Sequence, residues 1–162
     1  MEARRASFLP FSPHPQVKGT VEEKVSQTFQ VSPVGVVRRK QDSIEIEIFP
    51  RYREALSGLE RFSHIIVLYW FHRTDNPIDR LIMQVHPRRD PSKPLTGVFA
   101  TRSPARPNPV AFSVSKILSI RENAIQIDRT DALDETPVID IKPYIPESDS
   151  RPEAGVPEWV AK

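Results

Sequence analysis

Residues 43–49 read SIEIEIF, a strict alternation of apolar and acidic side chains. In an extended chain successive side chains point to opposite faces, so Ile44, Ile46 and Ile48 share one face and Glu45 and Glu47 the other. The stretch is therefore a strand with one face on a core and one toward solvent. The neighbouring segments follow the same logic. FQVSPVGVVR (29–38) predicts a strand with Pro33 near its start or at an edge, since proline has no backbone donor for a ladder. PRYREALSGL (50–59) opens on Pro50 and closes on Gly58, the pattern of a short helix. HIIVLYWF (64–71) predicts a buried strand by its length and β-branched content. LIMQVH (81–86), GVFAT (97–101) and PVAFSVSKILSI (109–120) continue the series. The last alternates Val110, Phe112 and Val114, then changes phase at Ile117, which predicts a bulge. NAIQIDR (123–129) and PVIDI (137–141) complete it. Seven or eight strands, one short helix and no βαβ rhythm point to an all-β barrel or sandwich.

The 162 residues suit one domain, and 38% hydrophobic with 27% charged residues fits a globular protein. Pro10, Pro13 and Pro15 mark residues 1–27 as a flexible arm, leaving 28–146 as the body. Residues 147–162 read as an extended tail in which Trp159 offers a docking group. There is no cysteine, which excludes disulfides, thiolate metal sites and a cysteine nucleophile. The longest apolar run, IIVLYWF at 65–71, is strand-sized and far short of a membrane span. MEARRASFLPFSPHP lacks the apolar centre of a signal peptide, so a cytoplasmic protein without membrane contact is expected.

Charge is unevenly placed. From Arg73 to Arg106 seven basic residues face three acidic ones, whereas from Glu122 to Glu158 ten acidic residues face three basic ones. Arginine supplies 16 of the 23 basic residues, and its planar fork suits phosphate or carboxylate. The basic middle makes an anionic ligand or nucleic acid a candidate partner, against the plainer alternative of a solvated surface.

Few familiar catalytic patterns occur. His64, His72 and His86 lie within 23 residues, but their spacing matches no compact zinc motif, and no metal is expected. There is no G-x-S-x-G elbow, no Walker loop and no G-x-G-x-x-G. Two stretches stand out instead. In TRSPARPNP (101–109), Pro104, Pro107 and Pro109 stiffen the chain, while Arg102 and Arg106 offer charge-assisted hydrogen bonds. The loop either grips an anion or is a rigid crossover whose arginines pair with the acidic C-terminal half. In TDALDETPVIDIKPY (130–144), Asp131 and Asp134 sit in a polar turn. Strict alternation places Asp140 on the face of Val138, hence indoors, where it needs Lys142, Arg102 or Arg106 as partner.

Together GVFATRSPARPNP (97–109), FSHIIVLYWFHR (62–73) and DALDETPVIDIKPY (131–144) resemble the TsaA-like family. Characterised members use S-adenosylmethionine (SAM) to methylate N6 of threonylcarbamoyladenosine beside the anticodon of a threonine tRNA. The resemblance covers roughly Val31 to Pro146 and implies a single-sheeted β-barrel, a homodimer, SAM as cofactor and the tRNA anticodon arm as partner.

The resemblance also implies site residues. His72, Arg73, Arg102 and Phe112 match SAM-contacting positions, and the turn Asp134, Glu135, Thr136 and Pro137 matches one that contributes through its backbone. Arg102 is then suited to the methionine carboxylate, Phe112 to the adenine face, and the turn's amides to the adenine edge. Arg106, Asn108, Lys142 and Tyr144 also match and are assigned to the tRNA side. The accepting nitrogen must lose a proton, for which His72 and Asp140 are the candidate acceptors. Three departures stand out. No P-R-Q loop separates the first strand from SIEIEIF, PNPVA stands for the family's PNPIG, and D-E-T-P stands for D-G-T-P. They leave open a non-catalytic SAM- or RNA-binding dimer, or a methyltransferase of another small substrate.

Overall fold

The computed structural model describes residues 28–160, and the arm expected at 1–27 lies outside them. β1 (Gly35–Arg39) and β2 (Ile44–Ile48) form an antiparallel hairpin with Val37 opposite Ile46. Lys40 N–H closes its turn on the Ser43 carbonyl (2.9 Å). Val37, Ile46 and Ile48 are buried, while Glu47 and Glu45 turn outward to Arg38 (2.9 Å) and Lys40 (2.7 Å). The alternation in SIEIEIF is thus an inside and an outside. Gly35 is required by contact: a Cβ there would lie 2.4 Å from the Glu47 carbonyl oxygen.

Six antiparallel strands close into one barrel in the order β1-β2-β7-β6-β3-β8, with β3 at His64–Trp70, β6 at Val110–Arg121, β7 at Ala124–Ile127 and β8 at Pro137–Pro143. β4 (Gln84–Val85) and β5 (Thr96–Gly97) form a separate two-residue pair. Closure leaves the main sheet no free edge. Ile46, Ile65, Val67, Ile125 and Val138 fill its interior.

Several segments depart from the sequence pattern. β1 starts at Gly35, because Val34 already bonds Val138 and Phe49 and leaves Pro33 outside the ladder. Residues 50–59 hold a 3-10 helix (Pro50–Leu56) capped by Ser57, and Gly58 (φ 87°) opens the next 3-10 turn, Leu59–Arg61. Residues 81–86 and 97–101 are mostly not strand. Leu81 ends a four-residue helix, α1 (Pro77–Arg80), whose start is capped by Asn76, and Val98–Ala100 is a 3-10 turn. Leu81, Met83 and Phe99 are exposed, so no packed layer holds these segments extended. With α2 (Pro146–Asp149) and the five 3-10 turns among the described residues, the single short helix expected becomes several very short ones.

Two phase changes decide which side chains face out. HIIVLYWF is buried on one face only: Ile65, Val67 and Tyr69 point in, and Ile66, Leu68 and Trp70 are half-buried. On β6 the apolar alternation faces outward. Phe112 and Val114 lie opposite Leu68 and Ile66, while Ala111 and Ser115 are buried, and the register slips between Ile117 and Ser119. On β8 the register against β3 slips between Leu68 and Tyr69, making Ile139 the extra residue. That slip turns Asp140 outward, opposite Leu68, where it bonds Lys142 at 2.7 Å. The indoor Asp140 expected from strict alternation is corrected by this bulge. Among the described residues no helix is long and apolar enough to cross a membrane.

Replacing Ile46, which has no solvent exposure, by alanine is expected to cost about 2–5 kcal/mol in urea unfolding. Gly35→Ala is expected to destabilise by about 1–3 kcal/mol, since the obstruction is backbone.

Candidate functional site

The site forms where β3 leaves the barrel. Phe71 N–H donates to the Pro109 carbonyl (2.8 Å), and His72–Thr74 makes a 3-10 turn. The Thr74 hydroxyl donates to the Pro104 carbonyl (3.1 Å), joining this turn to the proline-rich loop. Asp75 then accepts from Trp70 Nε1 (2.8 Å) and Arg80 Nε (2.6 Å). Arg80, and after it Trp70, hold the Asp75 carboxyl below its usual range.

Opposite, the connection from β7 to β8 lies across the barrel end. Ser115 Oγ donates to the Arg129 carbonyl (2.7 Å), and Ser113 shares a hydrogen bond with Thr130 (3.1 Å). The Tyr69 hydroxyl donates to Asp131. Burial first, and then the bond to Asp131, push the Tyr69 phenol well above its ordinary value of 10.0. Arg39 N–H donates to Asp134 (2.8 Å), and Glu135 N–H donates to the Val37 carbonyl (2.8 Å). Glu135 holds the left-handed region (φ 62°) and pairs with Arg38 at 2.9 Å. These bonds at its amide and carboxylate hold a conformation that glycine adopts more readily.

Between these two walls is a cavity of about 290 Å³. Tyr69, Phe71, His72, Arg73, Thr74 and Pro104 line one side, and Asp131, Ala132, Leu133 and Thr136 the other. It is mostly apolar, with a hydroxyl, an imidazole, a guanidinium and a carboxylate at its margins. A second cavity of about 900 Å³ shares the Thr74–Pro104 wall and includes Arg102. The Arg102 guanidinium lies 4.9 Å from the centre of the exposed Phe112 ring. Among the described residues neither Arg102 nor Arg106 has a carboxylate in ion-pair contact. The crossover reading, in which they pair with the acidic C-terminal half, is therefore not what forms. Asp134 and Glu135 serve β1 instead.

The structure brings His72, Arg73 and Thr136 into the first cavity and stacks Arg102 on Phe112 beside it. Asp134, Glu135 and Pro137 belong to the same turn without lining either cavity. Asp140 lies on the outer face. Arg106 and Asn108 belong to the proline-rich loop but line neither cavity. Lys142 and Tyr144 lie away from the site: Tyr144 packs edge-on against His64 at the start of β3, eight residues from His72, or roughly 26 Å of strand. The three histidines are separate, since His86 Nδ1 bonds the Lys93 carbonyl (2.7 Å) at the second cavity. Among the described residues no cluster of three metal-ligating side chains occurs. Sequence reasoning missed Tyr69, Phe71 and Leu133. The inward parity of Tyr69 was visible, but its bond to Asp131 joins positions 62 residues apart.

Residues 22–150 match the family of the tRNA-methyltransferase O N-terminal domain. The chain belongs to that family. It is 48% identical over 114 residues to a probable S-adenosyl-L-methionine-binding protein of Methanocaldococcus jannaschii, covering 70% of this chain and 90% of that one. It is 40% identical over 107 residues to the tRNA (adenine(37)-N6)-methyltransferase of Mus musculus, covering 66% of this chain but 24% of that enzyme. The crystal structure of TrmO from Pseudomonas aeruginosa superposes with a TM-score of 0.62 at 30% identity, over 80% of this chain. The chain spans 62% of that TrmO chain. Fold and family thus agree with the TsaA-like resemblance of the three motifs.

The Tyr69 bond has a pH signature. A phenol whose folded pKa is raised contributes stability that is complete below its unfolded value near 10.0 and is lost as pH rises above it. Tyr69→Phe is expected to cost about 0.5–1.5 kcal/mol at pH 7. Its stability relative to wild type should improve above pH 10, measured by urea unfolding across pH 8–11.

Proposed function

We propose that this chain is a SAM-dependent methyltransferase acting on N6 of the adenine beside the tRNA anticodon, in its threonylcarbamoyl form. The supporting observation is the Arg102 guanidinium, without a carboxylate partner among the described residues, stacked on Phe112 beside the His72–Arg73–Thr136 cavity. The names of the relatives support the same activity: one is named for SAM binding and one for adenine-N6 methylation of tRNA.

The residues present suit SAM. It offers a carboxylate, a flat purine, a ribose and a cationic sulfur, and when bound it supplies an electrophilic methyl group. Arg102 answers the carboxylate and Phe112 the purine face. Asp131 and Thr136 offer an acceptor and a hydroxyl at the cavity wall. Two amides expected at the adenine edge are already used, because Glu135 and Thr136 donate to Val37 and Leu133. The accepting nitrogen is urea-like and a poor nucleophile, so its proton must leave. His72 lines the cavity and takes that role, which Asp140, facing outward, does not fill within one protomer. Positioning of the two substrates supplies most of the acceleration. The reading includes a homodimer, for which Ile66, Leu68, Val114 and Leu118 on the outer face of β3 and β6 offer apolar surface.

A SAM-binding barrel without turnover is the second reading. The tight Lys40–Ser43 turn favours it, because no loop reaches the cavity from that side. Calorimetry with SAM decides the cofactor: Arg102→Ala is expected to weaken binding roughly ten- to hundredfold, and unchanged affinity would overturn the assignment. Incubation with labelled SAM and bulk tRNA decides turnover. Label in the RNA supports the methyltransferase, and SAM binding without label supports the second reading.

A further inference from the structure

The larger cavity extends well past Arg102, the residue assigned to the cofactor's carboxylate. Its walls carry His86, Arg88, Arg89 and Lys93 on one side and Val156, Pro157, Trp159 and Val160 on the other. Asp79 is the one acidic residue lining it among the described residues. Some basic side chains elsewhere are paired, such as Arg38 with Glu47, Lys40 with Glu45, Arg80 with Asp75 and Lys142 with Asp140. Arg88, Arg89 and Lys93 have none among the described residues.

The turn that carries them is unusual. Arg88 and Arg89 both hold the left-handed region at φ 58°, which costs energy for residues with a Cβ. It is pinned locally. His86 Nδ1 bonds the Lys93 carbonyl (2.7 Å), Arg89 N–H bonds the His86 carbonyl (3.0 Å), and Lys93 N–H bonds the Asp90 carbonyl (3.0 Å). Asp90, the nearest acid in sequence, accepts from Ser92 instead (2.6 and 3.0 Å). A strained turn is thus held with no carboxylate in ion-pair contact with its two arginines among the described residues, Asp90 lying near Lys93 and His86, and a half-buried indole lines the same cleft.

We propose that this cleft is a nucleotide subsite, taking one nucleotide of the RNA substrate next to the modified one, its phosphate on Arg88, Arg89 and Lys93 and its base against Trp159. Cations alternating with an aromatic face are the chemistry that grips single-stranded nucleic acid. Because the two cavities share the Thr74–Pro104 wall, a nucleotide held in the larger one adjoins the mouth of the smaller, where the accepting base meets the cofactor. The subsite rests on the reading that RNA is the substrate, and it adds a recognition surface apart from the cofactor residues.

The test measures bulk tRNA binding by filter retention across a salt series, with AMP as a mononucleotide probe and SAM calorimetry on the same proteins. Thermal melts check that each variant folds. The double variant Arg88→Ala/Arg89→Ala is expected to weaken tRNA binding about tenfold or more and to reduce the slope of log K against log salt by about 0.7, one phosphate contact. Trp159→Ala is expected to weaken it about five- to hundredfold with a smaller change in slope. SAM affinity should be unchanged in both. Unchanged tRNA affinity and slope in the double variant overturn the subsite while leaving the methyltransferase reading intact. Tighter binding in Trp159→Ala overturns it too, making the tail a cover. AMP binding as tightly as tRNA would assign the cleft to a free nucleotide and overturn the RNA assignment. A wild-type protein that retains no tRNA overturns both readings.

Discussion

The hydroxyl of Tyr69 lies at the end of a side chain that is 1% exposed, with its ring inside the barrel and Phe71 edge-on at 6.0 Å. A hydroxyl in that position needs a partner, and Asp131 supplies it from the connection between β7 and β8. That bond draws residues 129–136 across the open end of the barrel. Ser113 and Ser115 secure the same segment from β6. Both walls of the smaller cavity are therefore rooted in adjacent strands, β3 and β6. Arg39, Asp134 and Glu135 complete the hold from β1, so Asp131, Leu133 and Thr136 face His72 and Arg73.

Charge is sorted by the same architecture. The acids of the 130–135 turn serve the strand nearest them: Asp134 accepts from Arg39, and Glu135 pairs with Arg38. Their reach ends there, and among the described residues Arg102, Arg88 and Arg89 have no carboxylate in ion-pair contact. Arg88, Arg89 and Arg102 line one cavity together, which distinguishes them from cations paired elsewhere, such as Lys40, Arg80 and Lys142.

Much of this was legible. Alternation in 43–49 set β2 and its two faces, since period two is a property of the extended chain alone. The presence of a bulge in β6 was also readable, although it falls after Ile117 rather than before it. The alternation of Val110, Phe112 and Val114 was legible, but not which face it takes. In a small barrel the interior takes Ala111, Ser113 and Ser115 against larger neighbours, and the outer face is apolar. Asp140 misled because one extra residue at Ile139 inverts parity, and nothing local in PVIDI announces it. Segments 81–86 and 97–101 carry strand-like composition but no partner layer, and composition cannot supply one.

The sequence by itself determined the all-β class, the family motifs and the identity of the residues that can bind an anion, because side-chain chemistry and backbone period are local. The tertiary structure alone decided which of them meet. His72 and Thr136 come together across 64 positions, Arg102 finds Phe112 and no carboxylate, and Lys142 and Tyr144 are carried to the far end. Trp159 and the Arg88–Arg89 turn likewise come to line one cavity only in the folded chain. Barrel closure and strand register fix these distances, and both depend on pairings between residues far apart in sequence.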